Sequence, residues 1–176
     1  MISKKEEKER IWILVDPIRC SGCRLCEIAC SLRHEGIIWP EASRIRVFEL
    51  IPASNVPHLC VQCPDYPCVN ACPTKALSVD DNTGAVIVND EKCIQCGLCI
   101  DACPGNIPRI PRGKKAVVIC DLCGGDPECV KICHEAGYNA LQIVKGRYRA
   151  VYKTFAKSPI EKSVDIARKI YGKDVF

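Results

Sequence analysis

Cysteine is the residue type most able to do chemistry in this chain, because sixteen of the 176 residues are cysteines and they form four runs of four. Run one is Cys20, Cys23, Cys26 and Cys30; run two is Cys60, Cys63, Cys68 and Cys72; run three is Cys93, Cys96, Cys99 and Cys103; run four is Cys120, Cys123, Cys129 and Cys133. No cysteine is left over. Thiols at this density either pair as disulfides or bind metal as thiolates.

The spacing within the runs favours iron–sulfur clusters over other metal sites. Runs one and three are spaced C-x2-C-x2-C-x3-C, whereas the middle gap is x4 in run two and x5 in run four. In this arrangement three closely spaced thiolates bind one 4Fe-4S cluster and the fourth reaches the other cluster of a pair. Zinc modules instead combine two cysteine pairs that lie roughly a dozen or more residues apart. Four complete ligand sets therefore predict four 4Fe-4S clusters as cofactors.

The pairing of the runs follows from the way two-cluster ferredoxins exchange their fourth cysteine. A predicted hairpin joins runs two and three, so these two runs are expected to pair, and runs one and four then pair across them. The predicted ligand sets are quartet 1 (Cys20, Cys23, Cys26, Cys133), quartet 2 (Cys30, Cys120, Cys123, Cys129), quartet 3 (Cys60, Cys63, Cys68, Cys103) and quartet 4 (Cys72, Cys93, Cys96, Cys99). Catalytic residues are not predicted.

The N-terminal segment, residues 1–10, argues against disulfides. It is rich in charge and has neither an apolar stretch nor a small-residue cleavage site, so it does not resemble an export signal. Nowhere does the sequence approach the roughly eighteen apolar residues of a membrane span. We expect a cytoplasmic protein without direct membrane insertion, and in that reducing compartment dense cysteines are metal ligands.

The formal net charge of +4 counts every thiol as neutral. Because a 4Fe-4S core with four thiolates carries about −2, four clusters would bring the loaded protein to about −4. Basic residues beside the motifs are placed to offset this buried charge: Arg19, Arg24, Lys75, Lys92 and Lys131. The basic residues therefore do not indicate nucleic-acid binding.

The elements that must position the cysteines are short. Apolar segments predict strands at 11–15, 43–50, 76–79, 85–88, 116–119 and 141–144. The Asp-Asn-Thr-Gly sequence at 81–84 predicts the turn of a hairpin between 76–79 and 85–88. We expect Gly36 to end the helix that follows run one, and we give His34 in the same segment a structural role.

The predicted fold class is α+β, with two interleaved bacterial-ferredoxin-like units built from short strands, short helices and long loops, plus a C-terminal helix. Residues 11–59 and 105–150 form the outer unit with runs one and four. Residues 60–104 form the inserted inner unit with runs two and three. Residues 151–176 are a C-terminal extension with a helix at about 159–171.

That C-terminal helix has a strong start signal. Ser158, Pro159 and Glu161 form a capping-box sequence with proline at the first helical position. The apolar residues Ile160, Val164, Ala167 and Tyr171 fall on one face. We expect this face to cover the protein's own cluster loops or to dock on a larger subunit.

Two segments carry a family resemblance. Residues 60–76, CVQCPDYPCVNACPTKA, and the order of the four runs resemble the iron–sulfur subunits of molybdenum and tungsten oxidoreductases over roughly residues 11–145. Residues 20–36, CSGCRLCEIACSLRHEG, with Pro40 and the SRIR sequence at 43–46, are similar to the small subunits that accompany tungsten-dependent aldehyde oxidoreductases. Because every ligand position is cysteine, the resemblance implies four clusters of the 4Fe-4S kind.

The resemblance implies an electron-transfer subunit that is not itself an enzyme, because an iron held by one thiolate and three sulfides offers no open position to a substrate. Its implied partners are a larger tungsten- or molybdenum-pterin catalytic subunit, here an aldehyde oxidoreductase, and a soluble ferredoxin. Three alternatives stay open. They are a subunit of a formate dehydrogenase, hydrogenase or other molybdenum enzyme complex, a free polyferredoxin, and a zinc-stapled interaction module.

Overall fold

Short elements connected by long loops make up the protein, whose computed structural model describes residues 10–52, 54–146 and 155–172. The strands are β1 (Ile11–Val15), β2 (Arg46–Ile51), β3 (Ser54–His58), β4 (Leu77–Val79), β5 (Val86–Val88) and β6 (Leu141–Lys145). The helices are α1 (Leu25–Glu35), α2 (Pro67–Asn70), α3 (Leu98–Asp101), α4 (Glu128–Glu135) and α5 (Pro159–Tyr171). The α+β class is confirmed. The parts of the predicted units that fall on residues 53, 147–154 and 173–176, and the charged segment at 1–9, lie outside the described residues.

Three two-stranded antiparallel sheets organise the described strands. β1 pairs with β6, with Trp12 opposite Val144, so the strand before run one lies beside the strand after run four. β2 pairs with β3, and a bulge near the end of β2 shifts the register of this pair. β4 pairs with β5, and a hydrogen bond of 2.8 Å from Gly84 N to Asp80 O closes their connection, which confirms the predicted hairpin.

The prediction of a strand at 116–119 is wrong. Val118 makes only an isolated bridge, exchanging two backbone hydrogen bonds with Arg109. All four residues of the segment are buried. A short apolar run that is buried on all sides carries no periodicity that separates a ladder strand from other core backbone, and this segment is core backbone with one bridge residue.

The core contains both aliphatic side chains and thiols. Ile45, Val86 and Leu122 are almost fully buried and belong to one cluster with several of the cysteines. The buried cysteines of that cluster are Cys26, Cys30, Cys60, Cys68, Cys120 and Cys129. The hydrophobic core therefore surrounds these six thiols, and its packing keeps water away from them.

Helices α1 and α4 pack against each other and bring run one to run four. Gly36 ends α1 in the left-handed conformation, with φ 72°, and its N–H donates to Leu32 O, as predicted. Every described helix is too short or too polar to cross a membrane.

Helix α5 has the predicted bounds and the predicted capping box between Ser158 and Glu161. Its buried face is the predicted one only in part, because Ala167 is buried as expected whereas Ile160 is 67 % exposed and Tyr171 is 48 % exposed. The helix lies against β2 and β3. It buries Ser163, Ile166 and Ala167 there, so the docking site on the strands, and not the apolar stripe, decides its rotation.

Candidate metal centres

The residue before the second cysteine has a left-handed backbone in all four runs. These residues are Gly22 (φ 75°), Gln62 (φ 52°), Gln95 (φ 56°) and Leu122 (φ 56°). Non-glycine residues rarely adopt positive φ, and a repeat of this geometry at four equivalent places indicates a shared requirement. Such a residue reverses the chain between the first two thiols and turns successive N–H groups to the inside of the loop, which favours negative charge there.

The third cysteine of each run lies in the first turn of a helix. Cys26 is in α1, Cys68 in α2, Cys99 in α3 and Cys129 in α4. The residue that precedes α1, α2 or α3 is again left-handed, as at Tyr66 with φ 44°. Because the first N–H groups of a helix have no partner within the helix, the third sulfur of each run sits beside free donors.

The fourth cysteine of three runs accepts a backbone hydrogen bond. Arg44 N donates to Cys30 Sγ at 3.2 Å, Ala76 N to Cys72 Sγ at 3.2 Å, and Ile107 N to Cys103 Sγ at 3.4 Å. Burial raises the pKa of Cys30, but hydrogen bonds from His34 and Arg44 outweigh it and leave this pKa below its ordinary value. The thiolate form of Cys30 is therefore favoured.

Two cavities are each lined by four cysteines. One contains about 330 Å³ free of protein atoms and is lined by all of quartet 1: Cys20, Cys23, Cys26 and Cys133. The other contains about 340 Å³ and is lined by all of quartet 4: Cys72, Cys93, Cys96 and Cys99. Neither lining includes a histidine or a carboxylate, so thiols are the only residues there suited to hold a metal.

The charges of the other eight cysteines are coupled both within and between the predicted quartets 2 and 3. Burial raises the pKa of Cys63 to about 11 and that of Cys68 to about 12, and the negative charge of Cys103 contributes to both shifts. Burial also raises the pKa of Cys129, with contributions from Cys120 and Cys30. Cys60, which is predicted in quartet 3, is coupled to Cys120, which is predicted in quartet 2.

Crowded, buried thiols are suited to a cationic cluster core. Burial and neighbouring cysteines oppose ionisation, as at Cys26, where burial, Glu27, Cys20 and Cys23 raise the pKa to about 12. Several thiolates can share such a space only if a positive charge lies between them. The iron–sulfur core provides this charge, and iron in such clusters is bound by thiolates. The donor set and the loop geometry therefore fit 4Fe-4S clusters.

Sequence reasoning missed Gln62, which connects run two to run four, and gave His34 a structural role without identifying its partner. Gln62 is buried, its Nε2 donates to Cys120 O at 2.9 Å, and its Oε1 accepts from Val86 N at 3.3 Å. His34 Nε2 lies 3.0 Å from Asp121 Oδ1, which ties α1 to run four. These partners lie 58 and 87 residues apart, so no local pattern could have identified them.

Two of the basic residues that were predicted to offset the charge of the clusters, Lys131 and Arg19, form ion pairs with carboxylates instead. Lys131 pairs with Glu128 at 2.9 Å and also with Asp126, and Arg19 pairs with Asp16 at 3.5 Å. Both are surface ion pairs with carboxylates, which use the charge locally. Arg44 donates its backbone N–H to Cys30 Sγ, whereas its guanidinium pairs with Glu35 at 3.0 Å.

Comparisons with known proteins agree with this donor set. A family model described as "4Fe-4S dicluster domain" matches residues 52–142, and one described as "4Fe-4S binding domain" matches residues 18–33. Over 170 residues the chain is 74 % identical to "Aliphatic sulfonate oxidoreductase, polyferredoxin-like subunit" of Pyrococcus furiosus, covering 97 % of this chain and 98 % of that protein.

Two relatives from Escherichia coli are more distant. The "putative electron transport protein YsaA" is 35 % identical over 146 residues, which cover 76 % of this chain and 91 % of that protein. The iron–sulfur subunit of the nitrate-inducible formate dehydrogenase is 31 % identical over 156 residues, with 73 % of this chain and 53 % of that protein covered.

Proposed function

Because the chain belongs to the 4Fe-4S dicluster family and is a polyferredoxin-like electron-transfer subunit of oxidoreductase complexes, we propose that it connects a pterin-containing catalytic subunit to a soluble ferredoxin through four clusters held by quartets 1 to 4. When bound, such clusters each take up and release one electron. The observation that carries the proposal is the pair of cavities lined by four cysteines each, with no other ligand type.

The two units predicted from the sequence, an outer one at 11–59 and 105–150 and an inner one at 60–104, remain part of the proposal. Their support is the pairing of β1 with β6, which joins the ends of the outer unit, and the β4–β5 hairpin, which lies between runs two and three. Each quartet would then use three cysteines of one run and the fourth cysteine of its partner run.

The exposure of the thiols supports a path with two accessible ends. Cys23 in quartet 1 and Cys96 in quartet 4 are exposed, whereas most cysteines of quartets 2 and 3 are buried. Cys60 and Cys120 interact electrostatically, and Gln62 links their two loops. We therefore order the path as quartets 1, 2, 3 and 4, with partners at quartets 1 and 4.

The catalytic partner is proposed as a tungsten enzyme of the aldehyde oxidoreductase type, on the resemblance of residues 20–46. The name of the Pyrococcus furiosus relative favours a second candidate, a partner that oxidises or reduces aliphatic sulfonates, because that relative matches nearly the whole of both chains. The formate dehydrogenase relative matches only about half of its own length, so a formate dehydrogenase or other molybdenum complex is the weaker alternative.

Anaerobic purification of the complex from its native source tests the proposal. We expect about sixteen irons and as many sulfides per chain, four per cluster, together with a larger co-eluting subunit that contains tungsten. Adding an aldehyde or an aliphatic sulfonate should bleach the cluster absorbance for the correct substrate class only. A monomeric protein would support a free polyferredoxin. Zinc in place of iron and sulfide would contradict the proposal.

A further inference from the structure

Lys162 is a partly buried cation on the side of α5 that faces β3. Its Nζ lies 3.1 Å from His58 Nδ1, and His58 Nε2 lies 2.8 Å from Gly105 O. Because a carbonyl oxygen can only accept, Nε2 must carry the proton and Nδ1 must be the acceptor. The ammonium group therefore donates to a neutral imidazole that holds the turn after Cys103.

Within the described part of the chain, no carboxylate lies within ion-pair distance of Lys162. Burial lowers its pKa to about 8, and the charges that oppose this shift are those of Cys103 and Cys60. Burial, together with the positive charge of Lys162, lowers the pKa of His58 to about 3, so the imidazole does not share the positive charge. Lys162 is thus a cation whose nearby negative groups are cysteines of quartet 3.

We propose that the positive charge of Lys162 raises the reduction potential of the cluster held by quartet 3. The inference rests on the proposed ligand sets and goes beyond them, because it assigns a function to a residue outside the cysteine runs. Reduction of a cluster adds one negative charge. A partly buried cation stabilises that charge, because the protein around it screens the interaction less than bulk water does.

The place of quartet 3 in the proposed path gives this charge a consequence. Quartet 3 is internal, between quartets 2 and 4, and most of its thiols are buried. A raised potential there favours an electron at an internal cluster over the two exposed ends of the path. Helix α5 brings the charge to this position from a segment 104 residues after His58, so the C-terminal helix has a redox role in addition to packing.

Redox titration of the loaded full-length chain, followed by electron paramagnetic resonance, tests the inference. In Lys162→Met, we expect one of the midpoint potentials to fall by at least about 59 mV. For a one-electron couple this shift corresponds to a tenfold change in the ratio of oxidised to reduced cluster. Lys162→Arg should recover at least part of the shift. Lys169→Met is the matched control, because it removes an exposed charge from the same helix, and it should leave the potentials unchanged.

Several outcomes would overturn the inference. They are an unchanged set of potentials in Lys162→Met, an equal shift of all potentials, or an equal shift in Lys169→Met. Lys162→Gln is the second neutral variant, and iron and sulfide are measured in each protein. If both neutral variants lose iron while Lys162→Arg retains it, the residue is needed for assembly and the inference also fails. The wild-type iron content separately tests the proposed four clusters.

Discussion

At the scale of single residues, equivalent positions in the cysteine runs share a backbone but differ in what their side chains do. Gln62 and Gln95 both precede a second cysteine with left-handed φ. The side chain of Gln62 is buried and connects run two with run four and β5. The side chain of Gln95 is exposed and donates to Lys114 O at 2.8 Å. The backbone requirement is local, whereas the connecting role depends on surroundings.

Replacing Gln62 by leucine should destabilise the loaded protein by about 1–3 kcal/mol, because Cys120 O and Val86 N lose buried hydrogen-bond partners. Leucine itself is accepted by this backbone, since Leu122 occupies the equivalent position with φ 56°. The measurement is the temperature at which cluster absorbance is lost under anaerobic heating. Gln95→Leu is the matched control and should change that temperature little. Similar decreases in both variants would contradict the assigned role of Gln62.

At the scale of elements, α5 depends on its start as well as on its packing. Ser158 Oγ accepts from Glu161 N at 3.3 Å, and Glu161 Oε2 accepts from Ser158 N at 2.8 Å. Hydrogen bonds from Ser158 also lower the pKa of Glu161, which keeps its carboxylate charged. Two helix-terminal groups are therefore satisfied before the helix contacts β2 and β3.

Ser158→Ala should weaken the start of α5 by about 1 kcal/mol, because an N-cap hydroxyl is lost. Hydrogen exchange of the α5 amides is the direct measurement, and it should accelerate by roughly fivefold near the N-terminus of the helix. Exchange in α1, which has its own cap at Gly36, serves as the internal reference. Unchanged exchange in α5 would show that packing alone holds the helix.

At the scale of the whole molecule, the thiols are unequally protected. The two exposed cysteines, Cys23 and Cys96, belong to the proposed end quartets. Ile94 and Leu98 lie beside Cys96 in the sequence and are 64 % and 46 % exposed. Exposed apolar side chains near an exposed ligand are typical of a contact surface for a partner. The middle of the proposed path is covered by the protein's own core.

Iron removal should therefore occur in two phases. When the isolated loaded chain is treated with an iron chelator in the presence of a mild oxidant, we expect about half of the iron to leave quickly, from the exposed quartets 1 and 4. The buried quartets should lose iron more slowly, because reagents reach them only after local opening. The time course of released iron is the measurement. A single phase for all the iron would contradict the proposed division into end and middle quartets.

Much of the site and part of the fold follow from local sequence. The cysteine spacing, the β4–β5 hairpin, the end of α1 at Gly36 and the bounds of α5 depend on neighbours within a few residues, and such signals can be read directly. The iron–sulfur character of the donors has the same origin, because three ligands of each proposed cluster come from one short run. The sequence by itself therefore determined the chemistry.

The tertiary structure decided how the segments face one another. The apolar stripe of α5 predicted its buried face only in part, because the side that lies against β2 and β3 buries Ser163 and Ile166 together with Ala167 of the stripe. The buried segment 116–119 formed no ladder strand. The contacts of Gln62 with Cys120 and of Lys162 with His58 join residues 58 and 104 positions apart. Such contacts depend on the packing of the whole chain, which local periodicity does not encode.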